Sequence, residues 1–211
     1  RGPVHRPRLK GVGDQRKAGD RAIARLPKPY RSTRADPEDV AALIAVNLAS
    51  DRLFAGTGLV PDDALEDHVP ADVLRQAIDQ RHVFVVRDDR ERPVGFSLTS
   101  LRGGTLYLDQ LSVHPDHGRK GLGAALVRRV LSDARDRRVS TVTLSTFREP
   151  AWNGPFYRRL GFREIPRKRL TTWMLELEEA QRATLDVEKR CFMRRRVRWR
   201  PTSSHAVNVE A

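Results

Sequence analysis

The chain has 211 residues, 39% of them hydrophobic and 32% charged, which suits one domain with a buried core and cramps two. No apolar run approaches the roughly 18–20 residues that span a bilayer, so no membrane contact is expected. The basic first thirty residues lack the apolar stretch of a secretory signal; they are Arg-rich and acid-poor like an organellar leader, yet residues 1–31 contain no Ser.

The single cysteine, Cys191, excludes an intramolecular disulfide framework and suits a reducing compartment, so a cytoplasmic address is expected. With no His beside it in a strand-like stretch, Cys191 reads as a buried structural residue rather than a nucleophile. The net charge of +13 is unevenly spread. Residues 1–35 hold 11 Lys/Arg against 2 Asp/Glu, residues 163–211 hold 12 against 7, and residues 36–162 hold 17 against 18. The body is therefore neutral and the ends are basic. Nucleic acid is expected to bind only non-specifically through those ends, where Trp199 within the Arg194–Arg200 run could stack on a base.

Taken in chain order, residues 1–29 lack periodicity and read as a flexible basic extension. A short strand is expected over Tyr30–Ala35. Asp36 then caps a helix with Pro37 in its first position and Val40, Leu43, Ile44 and Leu48 as its apolar stripe. A loop over Phe54–Gly58 leads to a second helix expected from about Asp62 to Asp79. Strands are expected over His82–Arg87, Val94–Thr99 and Thr105–Val113, the last with Tyr107, Asp109, Leu111 and Val113 on one face. The period changes to helical from Gly121 to about Arg137, then returns to a strand over Val139–Phe147. A short helix over Asn153–Leu160 has Asn153 as N-cap and Gly161 as C-cap. A helix around Thr172–Arg182 and a last strand near Val187–Val197 complete a mixed sheet with helices on both faces. Residues 197–211 read as a basic disordered tail.

The stretch from His114 to Ala124 joins a strand to a helix. Gly121 and Gly123 allow close backbone approach and positive φ. The first helical turn then offers free N–H groups beside the positive end of the dipole, with Arg119 and Lys120 at the rim. Such a loop suits a pyrophosphate. It lacks the Gly-Lys-Ser/Thr ending of a Walker loop, and its glycine spacing differs from the dinucleotide fingerprint.

Leu111-Ser112-Val113 followed by His114–Gly123 resembles motif A of the GNAT superfamily of acyl-CoA-dependent N-acyltransferases, whose loop reads Gln/Arg-x-x-Gly-x-Gly/Ala. Gly121 and Gly123 match; Gly118 replaces the usual Gln or Arg. Downstream, Leu144–Phe162 is similar to motif B, a strand, an Asn and a helix reading Phe-Tyr-x-x-Leu-Gly-Phe. The resemblance covers Tyr30 to Arg196, which it marks as one N-acetyltransferase domain. It looks closest to small bacterial members with Thr-Phe-Arg…Trp-Asn-x-Pro-Phe-Tyr in motif B.

The resemblance implies a central mixed, mostly antiparallel sheet of the α/β (α+β) class, and acetyl-CoA as cosubstrate without a metal. It implies coenzyme A contacts from Leu111, Ser112, Val113, Gly118, Arg119, Lys120, Gly121, Leu122, Gly123 and Ala124, with Asn153 on the pantetheine arm. Tyr157 would protonate the departing thiolate, and strand amides around Leu111–Val113 would polarise the thioester. Asp109 is the first candidate for the base and Glu149 the second, each equally readable as a substrate contact or an ordinary polar residue; the Phe54–Gly58 loop lies where the family shapes its acceptor pocket, and reads equally as a simple connection. The expected acceptor is a small-molecule amine, with a peptide N-terminus or lysine as the alternative and a non-catalytic coenzyme A sensor or nucleic-acid binder as a third reading. A monomer or homodimer is expected.

Overall fold

The computed structural model of the protein describes residues 26–198. The expected features at 1–25 and 199–211, including the stacking role of Trp199, lie outside the described residues. Seven strands form one sheet in the order β1-β2-β3-β4-β5-β7-β6. They are β1 (Arg31–Arg34), β2 (Val83–Arg87), β3 (Pro93–Arg102), β4 (Thr105–Val113), β5 (Thr141–Phe147), β6 (Arg163–Glu164) and β7 (Arg190–Arg196). Every pairing is antiparallel except β4 with β5. The mixed, mostly antiparallel sheet expected of the chain is therefore present.

Helices cover both faces. On one face, α1 (Val40–Asp51) and α2 (Ala71–Asp79) bury Leu43, Val46, Leu74 and Ile78 against Val83, Val85, Phe96 and Leu98. Farther along the same face, α5 (Thr172–Gln181) packs Met174 and Trp173 on Tyr107 and Phe192. On the other face, α3 (Leu122–Asp136) and α4 (Gly154–Arg159) enclose Val127, Val130, Leu131 and Tyr157 with Leu106, Leu108, Leu144 and Met193. Burying such large apolar side chains contributes ~1.5–3 kcal/mol each, which sets the layered arrangement.

Several local expectations change. The helix expected from Asp62 to Asp79 is two pieces, a 3-10 turn over Asp62–Glu66 and α2 starting after Pro70. Pro70 disfavours helical geometry at Val69 and contributes no N–H, so the chain restarts there. The β3 strand runs three residues beyond Thr99, and the two-residue strand β6 carried no readable period. The packed chain also reaches back to Leu26, which sits with Tyr30 against Phe84 and Leu126. At the other end Val197 is buried, its N–H on the Ser140 carbonyl at 2.8 Å.

The largest correction concerns β4. Its register against β3 shifts between Leu98 and Thr99: Thr99 pairs with Leu108 and Leu98 with Gln110, which leaves Asp109 as a bulge. An extra residue reverses the inside–outside alternation beyond it. Tyr107 therefore faces α5, whereas Leu111 and Val113 face α3. Asp109 stays on the Tyr107 side, held by Arg102, rather than on the Leu111/Val113 face.

Candidate active site

The β4–β5 pairing lasts for three residue pairs, Leu106↔Val142, Tyr107↔Thr143 and Leu108↔Leu144. Past the bulge the two strands part. A cavity of about 1290 Å³ opens there, lined by Leu108 to Leu111 and Val113 on one strand and Leu144 to Phe147 on the other. Antiparallel amides alternate in direction, and the His114 N–H bonds to the Val94 carbonyl at 2.9 Å. The amides of Leu111 and Val113 consequently point away from β3, toward the parted side.

One end of the cavity is the phosphate-type loop. Gly121 caps α3 with φ 78°, and Arg119 two residues earlier also has positive φ, at 58°. This alternation turns successive N–H groups inward at the start of a fifteen-residue helix, a concave anion cradle. Gly118, Arg119, Gly121, Leu122, Gly123 and Ala124 all line it. A Cβ on Gly118 would stand 2.9 Å from the Pro115 carbonyl oxygen, so this turn excludes the larger residue of motif A. Lys120 does not line the cavity: its ammonium donates to the Tyr30 hydroxyl and the Asp116 carbonyl, both at 3.1 Å. The Tyr30 hydroxyl bonds in turn to His117 Nδ1 at 2.9 Å. Ser112 turns to the opposite face, where its hydroxyl accepts from Gln110 at 2.9 Å.

Tyr157 reaches the cavity from α4, its ring wedged edge-on against Phe156 and Phe162. Burial raises its pKa well above that of a free phenol, so it keeps its proton. Asn153 precedes α4 and donates to Thr146 Oγ1 at 2.9 Å, while its Oδ1 is buried without a partner among the described residues. It is the N-cap of α4, as expected, through its backbone carbonyl, which accepts from the Tyr157 N–H at 3.0 Å, rather than through its side chain.

The other end of the cavity lies on the α1/α5 face. Phe54 stacks at 5.5 Å on Phe147 and 6.1 Å on Trp152. Glu149 lies apart, lining a smaller cavity of about 420 Å³ with Thr57, Trp152 and Lys189. Asp109 Oδ1 accepts from Arg102 at 3.0 Å and its Oδ2 is buried without a partner among the described residues. Burial raises its pKa, opposed by Ser100 and Arg102.

Among the lining residues that the sequence did not single out, Asp51 and Arg190 carry the chemistry of note. Asp51 ends α1 and accepts from Asn47 at 2.6 Å and Ser50 at 3.3 Å; burial nevertheless pushes it up to about 6. An acid at a helix C-terminus opposes the dipole, and that was the available signal. Arg190 begins β7 and sits 4.8 Å over the Phe147 ring. Its signal was a charge alternating inward with Phe192. Cys191 is buried on the opposite face of β7, as expected, and burial pushes its thiol up to about 11.

Residues 79–164 match the model of the acetyltransferase (GNAT) domain. The matched segment takes in β2 through α4 and the Gly121 cradle. The N-acetyltransferase ycf52 of Porphyra purpurea is 36% identical over 80 residues, or 37% of this chain and 44% of that one, so the chain spans less than half of this relative. Over 79% of its length the chain shares its fold with the PaiA N-acetyltransferase of Thermoplasma acidophilum, solved with coenzyme A (TM-score 0.63, 14% identity, 98% of that chain). It also resembles Rv2747 of Mycobacterium tuberculosis, solved with CoA and NLQ (TM-score 0.53, 21% identity, 78% and 97%). The ribosomal-protein-S18-alanine N-acetyltransferase of Escherichia coli is a further structural relative (TM-score 0.57, 17% identity, 83% and 99%).

Proposed function

We propose that the protein is an acetyl-CoA-dependent N-acetyltransferase acting on a small primary amine. The observation that carries this reading is one continuous cavity running from the Gly121 cradle, past the parted strands and Tyr157, to the carboxylates of Asp51 and Asp109. The cradle suits the pyrophosphate, Asn153 Oδ1 suits a pantetheine N–H, and the Leu111 and Val113 amides suit a thioester oxygen as it gains charge.

An amine arrives as an ammonium ion and must lose a proton before it attacks. Asp51, half-charged near pH 6 and without an ion-pair partner among the described residues, takes it; Asp109, held by Arg102, is the second candidate. The nitrogen then bonds to the thioester carbon and the C–S bond breaks. Tyr157 gives its proton to the sulfur and regains one from the new amide nitrogen through water. The net products are the acetamide, free coenzyme A and one proton. Direct transfer needs no covalent nucleophile, in keeping with the inert Cys191.

The test is thiol release over a panel of amines, with thermal-shift titration of acetyl-CoA alongside. Turnover with a rise in Tm supports the reading; no shift at millimolar acetyl-CoA overturns it.

A further inference from the structure

Arg190 is the anomalous charge of the cavity. Its Nη2 donates to Ser145 Oγ at 3.2 Å and its Nε is buried without a partner among the described residues. No carboxylate of a described residue comes within 4.0 Å of it. Burial lowers its pKa, and the titratable groups that act on it are Tyr107, Cys191 and Tyr157. Burial pushes Tyr107 up to about 12, so it brings no negative charge.

Two other half-buried arginines have carboxylate partners. Arg87 takes both oxygens of Asp39, at 2.7 and 2.8 Å, and Arg34 is paired with Asp133. The contacts of Arg190 with Ser145 and the Phe147 ring leave its guanidinium charge without a counter-ion among the described residues, which burial disfavours. Such a charge fits a site where a ligand supplies the anion.

We propose that Arg190 binds a carboxylate carried by the acceptor, which makes the substrate a free amino acid rather than a peptide N-terminus or a simple amine. This rests on the acetyltransferase reading above. The planar donor edge of Arg190 suits a carboxylate, and Asp51 and Asp109 offer the opposite charge for the ammonium. Phe54, Phe147 and Trp152, one beside the next, provide an apolar wall, so the side chain of that amino acid is apolar. A peptide N-terminus has an amide where this site presents a cation, and leaves that cation unpaired.

The test uses matched acceptors, phenylalanine against phenethylamine and leucine against 3-methylbutylamine. Wild-type kcat/KM should favour each amino acid by ~100-fold or more, as expected for a buried charged partner left unmatched by the analogue. In Arg190→Gln that ratio should collapse to a few-fold, chiefly through KM, and Arg190→Lys should keep part of it. Equal turnover of acid and amine by the wild type overturns the proposal, as does an Arg190→Gln variant that lowers both equally. A readout independent of turnover is the wild-type Tm with coenzyme A plus N-acetylphenylalanine or N-acetylphenethylamine. Only the former should raise it, and no rise with either overturns the proposal. A protein that turns over amines without preferring acids sinks this inference alone, whereas one indifferent to acetyl-CoA sinks the enzymatic reading.

Discussion

Asn47 holds Asp51 from one helical turn away, donating to its Oδ2 at 2.6 Å while accepting the Val69 N–H at 3.0 Å. One buried amide thus fixes a cavity carboxylate and ties the restart before α2 to α1. The pair determines how the protein should respond to pH.

Asp51 has a folded-state pKa of about 6, above the ~3.9 of a free Asp. Between these values the native state binds more protons than the unfolded state, so stability falls as pH rises from ~4 to ~6 and stays lower above. Asp51→Asn removes that penalty. At pH 7.5 the variant should be more stable by ~1 kcal/mol, allowing for the partial exposure of the carboxylate. Its kcat/KM should drop ~100-fold, and the acid limb near pH 6 should disappear. Urea melts at pH 4.5 and 7.5 and a pH–rate profile check both. A limb that survives in Asp51→Asn but not in Asp109→Asn moves the base to Asp109.

Tyr157→Phe keeps the ring that packs on Phe162 and loses only the hydroxyl. Thiol release should slow by ~100-fold or more while the acetyl-CoA dissociation constant moves less than threefold. Calorimetric titration beside steady-state kinetics separates the two. A variant that turns over normally removes Tyr157 from the chemistry.

The two cradle glycines should behave differently. Gly121 is at φ 78°, so Ala there is strained by ~1 kcal/mol and weakens both Tm and acetyl-CoA binding. Gly123 has ordinary helical geometry, and a Cβ would meet only Phe156 at 3.5 Å and Val113 at 3.8 Å. Gly123→Ala should therefore fold normally, and any loss of affinity measures the approach of the ligand itself. Equal effects of the two on Tm would contradict the geometry.

Gly154 is constrained by backbone rather than by ligand. A Cβ would stand 2.3 Å from the Arg148 carbonyl oxygen, which no side-chain adjustment relieves. Gly154→Ala should cost ~1–3 kcal/mol, read as a fall in the denaturation midpoint, and should displace Tyr157 by moving the start of α4.

How much of this was legible follows from which signals are local. The change of period at Gly121 and the Asn153–Tyr157 spacing are short-range patterns, and both the cradle and α4 appear where the sequence places them. The bulge at Asp109 gives no such signal, because Tyr107, Asp109, Leu111 and Val113 alternate perfectly in the sequence. The register shift is set by how β3 and β4 pair, and it turns Tyr107 away from its apparent neighbours. Arg190 and Asp51 had only weak local signals, because each matters through what the fold brings to one cavity, Ser145 beside Arg190 and Asp109 on the same cavity wall as Asp51.

The sheet order places β7 between β5 and β6, so it is inserted between two strands that precede it in the chain. While the nascent chain still lacks residues 190–196, β5 presents an open edge reading Thr141-Val142-Thr143-Leu144-Ser145-Thr146-Phe147, a β-rich segment without charge. Translation beyond Arg196 both covers that edge and delivers Arg190. A chain that stops in α5 therefore has an exposed β5 edge and lacks the Arg190 wall of the cavity at once.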